Sequence, residues 1–294
     1  MTGIDNASID QLARAPLGAA FLVVAKESGL RPEEVADPSI SLQIAAVASD
    51  WISVWRSNDH GRTVRHVLER GPELVGFGHD IVAAGDCSWW TAPSAGTVQV
   101  YNAWGLQGGK SPSPTDIRGP ESTVGIPNSW EQYAQKPKSL MTASYIEDTS
   151  SILVGVGYES NDWLFRGEGP IPAWKLNVSP QARVFEVLGP AQWHELCTHY
   201  SAVAEDRNSP AFGLLVPDWS AVRQDWDGVH LTFFGWLTAE QSRFTDGRGS
   251  SMHWGWEAEA TVWLRWVFSS VSPWPDCRLP TQSKVIREPH LPRT

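Results

Sequence analysis

Cysteine is scarce in this 294-residue chain: Cys87, Cys197 and Cys277 are far apart, odd in number and without a CxxC or a neighbouring histidine pair. That spacing supports neither a disulfide framework nor a zinc site. Long apolar runs are missing too, so no membrane helix is expected. The short apolar patch Leu17 to Ala25 has no basic leader before it, so no signal peptide is read and the cytoplasm is the expected location. Blocks of lysine and arginine are absent, and the net charge is −10, which argues against broad nucleic-acid binding through phosphates. The glycines of 105–128 match neither GxGxxG nor GxxxxGK[ST], so no phosphate-binding loop is read there. No GxSxG elbow or spaced Cys/His pair supports a serine or cysteine hydrolase. Repeats and low-complexity blocks are also lacking.

What is present is a globular composition, 41% hydrophobic and 19% charged, with 17 tryptophans. Tryptophan stacks on sugars, bases and nicotinamide, but it also fills cores. Most of these tryptophans stand beside apolar or turn residues in strand-like segments, so about two thirds are expected to pack.

The N-terminal third reads as helical. Ile9, Leu12, Ala13, Leu17, Ala20, Phe21, Val24 and Ala25 recur at helical spacing, interrupted near Pro16, and Gly29 closes the run. A short helical turn opens at Pro32, and Ser41 to Arg56 and Thr63 to Arg70 are further helices, the last ended by Gly71-Pro72. After Gly85 the character changes. Strands are predicted at Cys87 to Pro93, Thr97 to Trp104, Lys138 to Ser144, Ser151 to Tyr158, Trp174 to Val178, Arg183 to Leu188 and Gly228 to Phe234. Helices are predicted from Pro190 to Tyr200 and from Asp218. The fold class is therefore α+β: a helical part over 1–84, a core with a mixed or antiparallel sheet over 85–269, and a Pro-rich surface tail over 270–294.

The stretch that organises the rest is Gly255 to Phe268. Thr261, Trp263, Arg265 and Val267 alternate with Val262, Leu264, Trp266 and Phe268, which predicts a strand over 261–268. At its mouth stand Glu257 and Glu259, two apart and so on one face if the strand begins early. Paired carboxylates raise one another's cost of ionisation, a common way of tuning an acid for chemistry. His230, in an alternating strand, is a candidate acid or base facing the same cleft. Asp218, Asp225 and Asp227 have metal-capable side chains, but Asp218 after Pro217 suits a helix N-cap and Asp227-Gly228 a turn, so no metal site is read. Trp163 and Arg166, in the loop NDWLFRGEG, present an aromatic plate and a cation for a phosphorylated or aromatic ligand.

Several segments together resemble a family of mostly uncharacterised bacterial and phage proteins with landmarks of the form KPxGGLWTS and GWDxES. Here they read Lys136-Pro137-Lys138-Ser139-Leu140-Met141-Thr142-Ala143-Ser144 and Gly255-Trp256-Glu257-Ala258-Glu259, with Ala182 to Val187 and Asp218 to Leu231 between them. A looser similarity is to mono-ADP-ribosyltransferases, whose hydroxyl-bearing strand precedes a Glu-x-Glu pair. Thr142 and Ser144 would be the hydroxyl strand and Glu257 and Glu259 the acids. Where such enzymes carry an Arg or His on their first strand, this chain offers Tyr101 and Asn102.

The similarity implies an ADP-ribosyltransferase-like fold that cleaves the nicotinamide N-glycosidic bond of NAD and transfers ADP-ribose to a protein or small-molecule acceptor. Glu259 would stabilise the ribosyl cation and Glu257 position the acceptor. Thr142, Ser144, Tyr101, Trp163, Arg166 and Trp256 would hold NAD. The alternative is a non-catalytic, Trp-lined binding module for a protein or carbohydrate. A glycoside hydrolase-like use of the glutamates would need a more distant carboxylate, Glu186 or Asp227.

Overall fold

The computed structural model describes residues 4–53, 60–102, 111–117, 137, 139–145, 173–204, 212–256, 258–274, 286 and 289. Helix α1 (Asn6–Arg14) begins where Asp5 accepts a hydrogen bond from the Ser8 amide at 2.9 Å. Pro16 has no N–H to continue that ladder, but its fixed φ suits a first helical turn, so α2 (Pro16–Glu27) starts there at 92° to α1. All ten residues from Pro16 to Ala25 are buried, which makes α2 the central core helix. Gly18 permits the sharp joint, since a Cβ there would lie 2.3 Å from the Leu12 carbonyl oxygen. Around α2 stand α3 (Pro32–Val35), α4 (Pro38–Trp51), α5 (His60–Arg70) and α6 (Val75–Ala84). The α5 helix ends at Arg70, before Gly71-Pro72 as expected, and the helical part continues. Gly71–Leu74 forms a 3-10 turn in which the proline sits in the first turn, and α6 follows directly.

Seven strands form the principal sheet: β1 (Val98–Asn102), β2 (Met141–Ser144), β3 (Ala173–Val178), β4 (Val184–Val187), β7 (Gly228–Leu231), β10 (Ala260–Trp263) and β11 (Phe268–Pro273). Their order is β11-β3-β1-β2-β10-β7-β4, antiparallel throughout except for the parallel pair of β4 and β7. A smaller sheet takes β5 (Ser201–Val203), β6 (Leu215–Pro217), β8 (Arg243–Asp246) and β9 (Gly249–Met252), in the order β5-β6-β9-β8. Helices α7 (Pro190–His199), α8 (Trp219–Asp225) and α9 (Phe233–Ala239) complete the described elements. Mixed helix and sheet confirm the α+β class.

Three predicted strands are corrected. The strand expected over 261–268 is two strands. Leu264 and Arg265 turn the chain by donating their amides to the Asp227 carbonyl at 2.8 and 3.1 Å, and β11 then pairs with β3 at the far edge, running from the expected core into the first residues of the expected tail. The strand expected to reach Phe234 stops at Leu231, because Thr232 caps α9 by accepting from the Gly235 amide at 2.9 Å. Cys87 to Pro93 is no strand either. Ser88–Thr91 is a 3-10 turn that wedges Trp90 against Phe21 and Phe233, with ring centroids 5.7 and 5.5 Å away. The strand expected at Ser151 to Tyr158 lies outside the described residues.

Alternation gives the large sheet two unlike faces. Ala143, Val187, Val229, Leu231, Ala260 and Val262 join the N-terminal helices in one continuous core. On the other face the register aligns Glu186 with His230, His230 with Thr261, and Thr261 with Thr142, while Gln99 pairs with Ser144. Beside that polar row lies a second apolar cluster of Leu140, Trp174, Leu176, Val178, Trp263 and Phe268. Nine tryptophans are buried, eight of them in these two clusters, so packing accounts for most of those described. Among the described residues no single helix is long and apolar enough to cross a membrane.

Candidate functional site

The polar row is built from backbone pairing. Because β10 lies between β2 and β7, the residues just before and within it meet side chains from segments far apart in the sequence. Glu259, in the bend leading into β10, is 1% exposed. Its carboxylate accepts the Ser144 hydroxyl at 2.6 Å, and both of its oxygens lie 3.2 Å from the Ser144 amide. His230 Nε2 stands 2.8 Å from Glu259 Oε1, and His230 Nδ1 stands 2.5 Å from Glu186 Oε2. The other oxygen of Glu186 accepts from the Ser94 amide at 3.0 Å and its hydroxyl at 3.3 Å.

The charge balance follows from this geometry. Burial opposes a charged imidazole, but Glu186 and Glu259, through charge and hydrogen bonding, outweigh it and raise His230 to about 10. At neutral pH His230 is therefore an imidazolium whose two N–H groups both donate to carboxylates. Glu186 is the outlet of the line, its side chain 24% exposed against 1% for His230 and Glu259.

A second, neutral network supports the first. Gln99 Oε1 accepts from Thr142 Oγ1 at 2.8 Å and Thr261 Oγ1 at 3.2 Å, while Gln99 Nε2 donates to Ser144 Oγ at 3.3 Å. Trp263 Nε1 donates to Thr142 Oγ1 at 2.8 Å, tying the row to the second apolar cluster.

The predicted site residues thus divide. Glu259, Ser144 and His230 come together. Thr142 lies on the same face, but it is fully buried and hydrogen-bonds to Gln99 and Trp263 rather than to Glu259. Tyr101 points to that face as well, half-buried against Trp174 with ring centroids 5.9 Å apart; burial, then the nearby Asp116, raise its phenol above the ordinary value. Trp256 departs from expectation. It is buried in the larger core, its ring 6.1 Å from Trp193 and 5.4 Å from His253, where no ligand can stack on it. Glu257, Trp163 and Arg166 lie outside the described residues.

The remaining candidates are structural. Asp218 caps α8 through the Ser220 amide, Asp225 accepts from the Tyr200 hydroxyl at 2.8 Å, and Asp227 accepts from the Arg183 amide and pairs with Arg265 at 3.0 Å. Among the described residues no group of His, Cys, Asp and Glu is arranged to hold a metal ion. Burial, with Asp86 nearby, pushes the Cys87 thiol up to about 11, and burial raises Cys197 as well, which leaves neither as a thiolate nucleophile.

Gln99 and Ser94 escaped the sequence reading. Gln99 has a recognisable signal, a polar residue at an inward position of a strand flanked by Val98 and Val100. Ser94 has none, because its role depends on a turn meeting Glu186 across 92 positions.

Comparison of the chain with protein-family models, with curated proteins and with solved structures finds no match. Whatever the site does must therefore be argued from its own chemistry. Burying the Glu259 carboxylate and the His230 imidazole on a sheet face, with Glu186 partly buried beside them, costs more desolvation than apolar side chains of similar size would. A histidine whose titration is shifted by two flanking acids is found at functional sites and in structural ion-pair networks alike.

Proposed function

We propose that the protein is an enzyme acting at an N-glycosidic centre, in its specific form an NAD-dependent mono-ADP-ribosyltransferase with Glu259 as the acid that faces the ribosyl cation. One observation carries the reading: Ser144 and Glu259, 115 positions apart, meet with the serine hydroxyl on the carboxylate at 2.6 Å. In such a reaction the bond between ribose C1′ and the nicotinamide nitrogen breaks, and its electron pair leaves with nicotinamide. The ribose becomes oxocarbenium-like, and a carboxylate held against its 2′-hydroxyl stabilises the developing charge. Ser144 and His230 both engage Glu259 Oε1, whereas Oε2 receives only the long contact from the Ser144 amide among the described residues. Oε2 is the oxygen left to accept a substrate hydroxyl, and because Glu259 is 1% exposed this role requires the groups covering it to move aside when substrate binds. Glu257 is the companion acid that orients the acceptor, a protein or a small molecule.

The second reading, a non-catalytic module that binds a protein or carbohydrate, is favoured by the burial of Glu259 and its neutralisation by His230. In that case the row only fixes the sheet. Incubation with NAD separates the two. The transferase reading expects nicotinamide release above the spontaneous rate and a rise in unfolding temperature with NAD concentration. Absence of both leaves the binding module.

A further inference from the structure

This inference rests on the reading of Glu259 as the acid at the glycosidic centre. We propose that Glu186 is a positioning residue for that acid: by accepting Nδ1–H of His230 it aims Nε2–H at Glu259 and holds the carboxylate in the orientation that Ser144 also selects. The argument is geometric. His230 is clamped at both ring nitrogens, 2.5 Å from Glu186 and 2.8 Å from Glu259, so the ring cannot turn without losing both partners. Glu186 is itself fixed, because the Ser94 amide and hydroxyl take one of its oxygens and leave the other for His230. The groups that face the imidazole are Glu186 from β4, Thr261 from β10 and Glu259 from the bend before it, with Ser144 of β2 on the far side of that carboxylate. Of the two acids only Glu186 reaches the surface, so it is also where the line senses solvent.

Where a metal-ligating histidine is clamped in this way, losing the partner on its far nitrogen costs about 10- to 100-fold, and the same order is expected for this metal-free pair. Glu186 is too far along the line to touch the reacting atoms through Glu259's oxygens, so its effect must pass through His230.

The test compares the full-length protein with Glu186→Gln, following the His230 ring by NMR against pH and nicotinamide release from NAD in parallel. The expected result is a His230 titration midpoint lowered by about one pH unit or more, since one flanking charge is gone. With it, kcat should fall about 10- to 100-fold at unchanged KM for NAD, and the alkaline limb of the rate profile should move with the His230 midpoint. An unmoved His230 midpoint, or full kcat across the pH range, overturns the proposal. Should Glu186→Gln unfold, Ser94→Ala loosens the same carboxylate and is expected to lower the midpoint in the same direction by less; no movement there overturns it equally. Failure of the glycosidic reading is seen separately, as no nicotinamide release from the unaltered protein. The His230 shift then shows whether Glu186 governs the imidazole, and the assignment to catalysis falls.

Discussion

On one face of the seven-stranded sheet Ala143, Val187, Val229, Leu231, Ala260 and Val262 press against the N-terminal helices; on the other, Glu186, His230, Thr261 and Thr142 stand side by side on neighbouring strands, and Gln99, opposite Ser144, reaches Thr142 diagonally. The first is buried throughout and the second everywhere but at Glu186, and both come from the same alternation. The first face is non-directional: any apolar set of the right volume would serve it. The second is directional, since each of its groups needs a partner at hydrogen-bond distance and the partners come from five strands, a bend and a turn. The comparison teaches that burial alone does not distinguish non-directional packing from directional polar contact. The kind of atom buried does.

The sharpest way to break the comparison is to damage the apolar face alone. Leu231→Ala should cost about 2–5 kcal/mol of folding stability by leaving a cavity under the helices. Urea unfolding would measure it, and His230 should titrate as before. If the His230 midpoint moves with the loss, the two faces are not separable.

The polar face carries a pH signature that the apolar one lacks. The folded His230 is raised to about 10, above its ordinary value of 6.5, so its contribution to stability is complete below about pH 6.5 and is lost as pH rises toward 10. Urea unfolding between pH 6 and 10.5 should show stability declining across that window, and His230→Gln should flatten the decline. A slope unchanged in that variant would assign it to other groups.

A smaller effect is expected where the neutral network meets the acid. Ser144→Ala removes the hydroxyl at 2.6 Å from Glu259 but keeps the amide contact, so nicotinamide release should fall about 10- to 100-fold with little change in unfolding midpoint. A large loss of stability without a change in rate would instead make Ser144 a purely structural link.

Much of this architecture was legible in the sequence. Pro16 marked the break between α1 and α2, Asp218 marked the start of α8, and the alternation around Val229 and Val262 gave central strands. Boundaries failed where tertiary contacts decide them. Asp227 ends β10 from another segment of the chain, and Thr232 converts the end of an apolar run into a helix cap. The site was legible only in part for the same reason. Glu259, Ser144 and His230 announce themselves by type, whereas their convergence depends on β10 lying between β2 and β7, and Trp256 looked like a ligand plate because indole serves a core and a cleft equally well. Gln99 and Ser94 gain their roles only through strand order.

The claim that the polar face does chemistry is tested most directly by Glu259→Gln, which preserves shape while removing the charge. The protein and this variant would be compared for nicotinamide release from NAD at equal folded fraction, verified by their unfolding curves. The account predicts release by the unaltered protein and a loss of at least about 100-fold in the variant, since charge stabilisation is often the largest catalytic contribution. Equal release from both, at equal folded fraction, would contradict it.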